Sequence, residues 1–359
     1  MATCPDTSYR RLAVAYATRQ LAVLPKHLKA VRDGSRGECV HQARVASRRL
    51  HVTLKAFGKC FAPKQAKRWR RQLQRLLKAL GSARDRDVQI DQLAQILEAT
   101  DDRRLRPGIE RLSLRLRQER ERLQDEVLRA VKRFDRSDTV DQMRQAFKAL
   151  SPGKSKGKAA LRSPLVFAEA GRQILAALQG LLGYRDCLWN ASDLDRHHAM
   201  RIAAKKLRYA MEAFGAAYPS GLKPQITAAR QLQTILGDLH DCDVWIDQLE
   251  DFVCREHERT EEYFGRARPF ARLRPGLEHL IERQRRCREE LFRDAGRTWE
   301  EFSGQAIWEK LVRTLDRYQR QTETQAEEPA ASSGQPPETS EPATTPEESP
   351  GNGRSAAQP

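Results

Sequence analysis

Two stretches of this chain are copies of two others. Residues 40–58, VHQARVASRRLHVTLKAFG, align without a gap to residues 197–215, HHAMRIAAKKLRYAMEAFG, at an offset of 157. The match pairs His41 with His198, Arg44 with Arg201 and Leu50 with Leu207, and ends on a shared Ala-Phe-Gly. A second block at 80–93, LGSARDRDVQIDQL, meets LGDLHDCDVWIDQL at 236–249 at an offset of 156. Two copies of one structural unit account for both blocks. Apolar residues recur three and four apart through most of residues 8–320, and short alternating β-branched runs are scarce, so the unit is helical.

The spacing predicts helices over 8–32, 38–60, 64–82, 85–99, 109–134 and 138–150, then 165–183, 193–217, 224–240, 243–258, 277–294 and 298–320. Residues 1–150 form the first repeat, with extra helical sequence near its end. Residues 151–164, SPGKSKGKAALRSP, read as a basic flexible linker. The second repeat is 165–320. Residues 321–359, rich in Glu, Pro, Ser and Thr and lacking Leu, Ile, Val and aromatic residues, read as a disordered acidic tail. The expected fold is all-α: two tandem antiparallel helical bundles and a tail.

Charge narrows the partners. The chain carries a net +17, and because the tail holds seven Glu against one Arg, residues 1–320 carry +23. Such a body attracts polyanions: nucleic acid, inorganic polyphosphate or an anionic membrane surface. The N-terminus has no charged region followed by an apolar one, and no stretch approaches the roughly 18 apolar residues that span a bilayer, so secretion and membrane insertion are disfavoured. Seven cysteines without a C-x-x-C pair or zinc-finger spacing read as reduced thiols of a cytoplasmic protein.

The basic residues are ordered. On a helix His41, Arg44, Arg48, His51 and Lys55 fall within an arc of about 80°, apart from the apolar face of Ala43, Ala46, Leu50, Leu54 and Phe57. In the second copy His198, Arg201, Lys205 and Arg208 take the same arc, and Glu212 replaces Lys55. A further stripe comprises Lys64, Lys67, Arg68, Arg71, Arg75 and Lys78. One charged stripe is ordinarily a solvated helix face, but such faces mix signs, whereas these two matched stripes hold nearly one. Arginine forks, lysine charges and protonatable histidines suit the oxygens of a phosphate polymer.

Other readings stay open. Asp85, Asp87 and Asp91, matched by Asp241, Asp243 and Asp247, have the chemistry of metal ligands, yet Asp85 and Asp241 stand where helix N-caps are expected, and Asp87 with Asp91 would hold basic side chains in place. His240 has Arg84 as its counterpart, and its plainer role is pairing with Asp238 or Asp241. No phosphate-binding glycine loop, dinucleotide fingerprint, zinc-protease or nucleophile-elbow motif is present, so no catalytic, metal or cofactor site is expected. The five tryptophans are dispersed and read as structural.

The motifs VHQARVASRRL and HHAMRIAAKKLRYAMEAF, with LGSARDRDV and LQTILGDLHDCDV, resemble those of the CHAD family, the conserved histidine α-helical domain. The resemblance covers most of residues 8–320. It implies two four-helix repeats about a pseudo-twofold axis, with a basic central cavity that binds inorganic polyphosphate and an association with polyphosphate granules. Carried over by motif, the site comprises His41, Arg44, Arg48 and Arg49 with His198, Arg201, Lys205 and Lys206; Arg208, Tyr209 and His240 fit the second copy. His51, Lys55, Arg71, Arg75, Lys78 and Arg84 complete the basic set. No Glu-x-Glu-x-Glu run announces an attached triphosphate-processing domain, so the expectation is a non-enzymatic polyphosphate binder. A nucleic-acid binder, a metal-dependent polyphosphate-processing enzyme and a helical scaffold are the alternatives.

Overall fold

A computed structural model describes residues 6–35, 37–151 and 161–331, with side chains up to 321. Among the described residues there are ten α-helices and no strand. The first half holds α1 (Thr7–Arg32), α2 (Glu38–Ala56), α3 (Pro63–Glu98), α4 (Arg106–Asp135) and α5 (Thr139–Leu150). The second holds α6 (Pro164–Leu182), α7 (Leu194–Phe214), α8 (Lys223–Phe264), α9 (Arg274–Gly304) and α10 (Ile307–Ala331). Each half therefore has five helices where the family resemblance implied four. In each, the first four pack in chain order and the fifth returns against the first, α5 on α1 and α10 on α6.

Local chemistry sets the boundaries. Asp6 caps α1 by accepting from the Tyr9 amide at 2.7 Å, and Ser163 caps α6 by accepting from Val166. Prolines open α3, α4, α6, α8 and α9, where a missing N–H costs nothing. The turns into α5 and α10 each pass through a non-glycine residue at positive φ, Asp138 at 52° and Ala306 at 51°.

Four sequence expectations change. The predicted pairs 64–82 with 85–99 and 224–240 with 243–258 are each one continuous helix, α3 and α8. Asp85 and Asp241 consequently lie inside helices and are not N-caps. Gly81 and Gly237, the apparent breaks, cost about 1 kcal/mol each in a helix, less than the buried stripes of Leu73, Leu76, Leu80 and Leu232, Leu236, Leu239 contribute. Helix α10 continues to Ala331, beyond the expected boundary at 320; the rest of the expected tail, 332–359, and most of the expected linker, 152–160, lie outside the described residues. Pro164–Trp189 does have the length and apolarity of a membrane span, against expectation, but Val166, Phe167, Ala170, Ile174, Leu178 and Leu181 are buried and α6 packs on α7 and α10. Trp189, in the short turn after α6, stands exposed.

Repeat counterparts meet one another. Phe57 packs on Phe214 with ring centroids 5.3 Å apart, and Tyr9 lies against both. Farther along, α4 crosses α9 where LRPGIERL (105–112) meets LRPGLEHL (273–280), a third copied block at an offset of 168. The crossing is backbone on backbone: a Cβ on Gly108 would lie 2.1 Å from the Leu273 carbonyl oxygen, and one on Gly276 2.0 Å from that of Leu105. Around it Leu93, Ile109, Leu112 and Leu116 pack with Trp245, Leu249, Phe252, Leu277 and Leu280 as a core shared by both halves.

Gly108→Ala and Gly276→Ala should each destabilise the fold by about 1–3 kcal/mol, since the helices must separate to admit a methyl group. Gly180→Ala in α6, which meets nothing within 4 Å, should instead stabilise by about 0.5–1 kcal/mol. Urea unfolding of the three variants checks both signs.

Candidate functional site

Helices α2 and α7 carry the matched stripes and pack against each other. Burial of Val40, Ala43, Ala46, Leu50 and Leu54 on α2, and of Met200, Ala204, Leu207 and Met211 on α7, fixes the roll of each helix. That roll brings Arg44 and Arg48 of the first copy into the field of Arg201 and Lys205 of the second. Loss of water, then repulsion from Arg48, Arg201 and Arg44, pushes the Lys205 ammonium down to about 8. Desolvation also lowers Arg44 and Arg201, each with repulsion from Arg48.

Two repeat-matched carboxylates offset this charge. Asp85 and Asp241 both stabilise Arg44, and Asp241 stabilises Arg201. Four cations thus share two carboxylates. The arginines lie over glycine in both copies: Arg44 Nε is 3.7 Å from a Cβ position on Gly81, and Arg201 Cδ 4.0 Å from one on Gly237. Both glycines sit in the copied LGSARDRD and LGDLHDCD blocks, so the repeat held the signal although their role went unread. Arg201 Nε and His198 Nδ1 are buried without a hydrogen-bond partner among the described residues. Each offers unused bonding capacity to an incoming oxygen.

The histidines are arranged differently from expectation. His240 packs on His198, ring centroids 4.1 Å apart, and does not pair with Asp238 or Asp241. Burial, then His198 and Arg201, lowers His240 to about 4, and burial with Arg201 and Lys205 lowers His198. The His240 ring is therefore neutral at pH 7. His51 lies away toward α3, lowered by burial and by Arg70 and Lys55.

An adjoining group forms around Tyr16 of α1, which sequence reasoning missed. Burial and Glu212 push its phenol up to about 12, against Arg49 and Arg208. Arg208 already donates to Gln233 at 2.9 Å and Glu212 at 3.1 Å, so this end of the site is largely neutralised in the second copy. Of the remaining expected residues, Lys55, Arg71, Arg75, Lys78 and Lys206 are exposed along α2, α3 and α7, and His41 and Arg84 are half-buried.

Asp87 and Asp243 hold the scaffold, while Asp91 and Asp247 are exposed. Asp87 accepts from Arg120 at 2.6 Å and Asp243 from Arg288 at 2.5 Å, joining α3 to α4 and α8 to α9 in the same way. Among the described residues no three His, Cys, Asp or Glu side chains converge as a metal site.

The CHAD domain model matches residues 15–250, which hold the whole basic set. The chain belongs to the CHAD family. Among solved structures, the crystal structure of the CHAD domain from the plant Ricinus communis superposes with a TM-score of 0.58 at 22% identity, covering 83% of this chain and 93% of that one. PptA from Streptomyces chartreusis gives a TM-score of 0.54 at 17% identity, over 82% of this chain and 98% of that one. At these identities the CHAD likeness is one of fold. No curated protein matches the chain.

Lys205 should titrate near pH 8 as a ¹³C-dimethyl-lysine NMR signal absent from Lys205→Ala. Arg48→Gln should move that midpoint upward, because removing a neighbouring positive charge favours the ammonium form.

Proposed function

We propose that this CHAD protein binds inorganic polyphosphate where α2 meets α7, without turning it over. The observation that carries the reading is the crowding of Arg44, Arg48, Arg201 and Lys205 from both repeats in a partly dehydrated place, where loss of water and then their repulsion push Lys205 down to about 8. Folding alone gains nothing from such repulsion. A polymer with a negative charge on each phosphate relieves it, and the orphaned Arg201 Nε gains a hydrogen bond. Counterpart contacts, Phe57 with Phe214 and Gly108 with Gly276, support an approximate twofold relation between the repeats, with both stripes lining one basic cavity. His41, His198, Arg49 and Lys206 extend the site, and Arg71, Arg75 and Lys78 provide an exposed approach along α3. The role is cytoplasmic, at polyphosphate granules.

Single-stranded nucleic acid would meet the same charges, and with six to ten phosphate contacts it too would lose roughly 10³–10⁵ in affinity between 50 and 200 mM salt. It is disfavoured because, among the described residues, no exposed aromatic platform adjoins the cations. A metal-dependent phosphohydrolase is disfavoured because Asp87 and Asp243 are engaged by Arg120 and Arg288.

Labelled long-chain polyphosphate, displaced at fixed salt by polyphosphate, DNA or RNA at matched phosphate concentration, separates these readings. Polyphosphate should compete best, and Arg44→Glu with Arg201→Glu should weaken binding about a hundredfold or more. Equal displacement by every polymer would leave only a general cationic surface. Phosphate release with magnesium or manganese that is lost in Asp87→Ala or Asp243→Ala would establish an enzyme.

The pH dependence has a defined sign. A bound polyanion raises the Lys205 pKa, so binding takes up a proton above about pH 8 and affinity falls as pH rises through that range. Calorimetry in buffers of different ionisation enthalpy measures the uptake, which Lys205→Arg should abolish.

A further inference from the structure

A second arginine cluster lies far from this site. Arg259 is 19 residues beyond His240 on α8, about 28 Å along the helix at 1.5 Å per residue. There a cavity of about 840 Å³ is lined by Arg111 and Arg115 of α4, Arg259, Tyr263 and Phe264 of α8, and Arg272 in the turn before α9. The volume is that of a small-ligand site. Apart from Arg111 and Arg115, its lining lies outside residues 15–250, the span of the family match.

The cluster is built from below. Glu256, 0% exposed, accepts from Arg111 and Arg115 and pairs with Arg259 at 3.5 Å, so one buried carboxylate aims three guanidiniums. Arg272 makes no ion pair among the described residues, and Glu262 is the further carboxylate on the wall. Positive charge is therefore in surplus. Beside it Tyr263 is 82% exposed and Phe264 55%, their rings 4.8 Å apart and edge to face. Exposing two adjacent aromatic rings costs solvation that folding does not recover, and Phe264 braces Tyr263 as a platform.

We propose that this cavity binds a nucleoside phosphate, the base stacked on Tyr263 and the phosphates held by Arg259 and Arg272. Guanidinium forks match phosphate oxygens, and aromatic faces take a base without reading its sequence. A single mononucleotide is favoured over a strand because the aromatic pair and the arginines line one half-open pocket and do not form a row along a groove. The proposal does not depend on polyphosphate binding at α2 and α7.

Calorimetry on the full chain tests it in an Arg44→Glu, Arg201→Glu background, which removes the first site as a competing acceptor. ATP, inorganic triphosphate, adenosine and a short single-stranded RNA are the probes. ATP should bind at least tenfold tighter than triphosphate. Tyr263→Ala should erase that preference, Tyr263→Trp should keep it, and Arg259→Ala with Arg272→Ala should weaken ATP at least tenfold; thermal unfolding confirms that each variant folds. No saturable ATP binding, or a preference unchanged in Tyr263→Ala, would overturn the proposal. RNA binding through Tyr263 far tighter than ATP would overturn it in favour of a strand-binding surface.

Discussion

Like charges at the meeting of α2 and α7 repel, and the rest of the structure has to hold them in place. Loss of water and then repulsion from Arg48, Arg201 and Arg44 hold the Lys205 ammonium down at about 8. Two apolar seams oppose that repulsion. Tyr9, Phe57 and Phe214 close the near one, and Gly108 against Gly276, with the shared core around them, closes the far one. Neither seam contains a cation, so adding salt would screen the repulsion and leave the seams intact. The fold spends apolar burial to keep a cationic surface poised, the arrangement on which the proposed polyphosphate site rests.

The copies have diverged around this centre. Lys55 in the first is Glu212 in the second, and Glu212 takes Arg208 and Arg230 as partners. Arg84 in the first is His240 in the second, whose ring rests on His198. What both copies retain is narrower: an arginine laid over a helical glycine, and a carboxylate four residues beyond that glycine, Asp85 and Asp241. The close approach matters because a residue larger than alanine at Gly81 or Gly237 would displace the guanidinium it supports.

Much of this was legible in the sequence, and the exceptions share a cause. The helical class, the duplication and the two basic stripes follow from periods of three and four and from the offsets of 157 and 156, whereas the packing of α2 on α7 comes only with the fold. The paired helices 64–82 and 85–99 were misread because Gly-Ser reads as a stop when only local propensity is weighed, while Leu73, Leu76 and Leu80 continue the buried face up to it. The helix at 138–150 was legible as α5, but the LRPG crossing escaped because its copies sit at an offset of 168, displaced from 157 by extra residues in the longer α8. Tyr16 was unreadable because nothing in its own segment is repeated; only packing brings α1 to Arg49 and Arg208.

Among 65 lysines and arginines, composition cannot tell which bind and which brace, but the carboxylates can. Arg120 is 3% exposed and bound to Asp87, and Arg288 is bound to Asp243; these join neighbouring helices, and a buried ion pair that loses one partner costs about 3–5 kcal/mol. Glu256 shows an intermediate case: burial would raise its carboxyl, yet bonds from Arg115 and Arg111 hold it below its ordinary value, and those arginines still reach a cavity. At Arg44 and Arg201 the balance tips fully, because Asp85 and Asp241 are too few for the cations around them. Where carboxylates match guanidiniums one for one, arginine is structure; where they fall short in a partly dehydrated place, the deficit of negative charge marks the site proposed for polyphosphate.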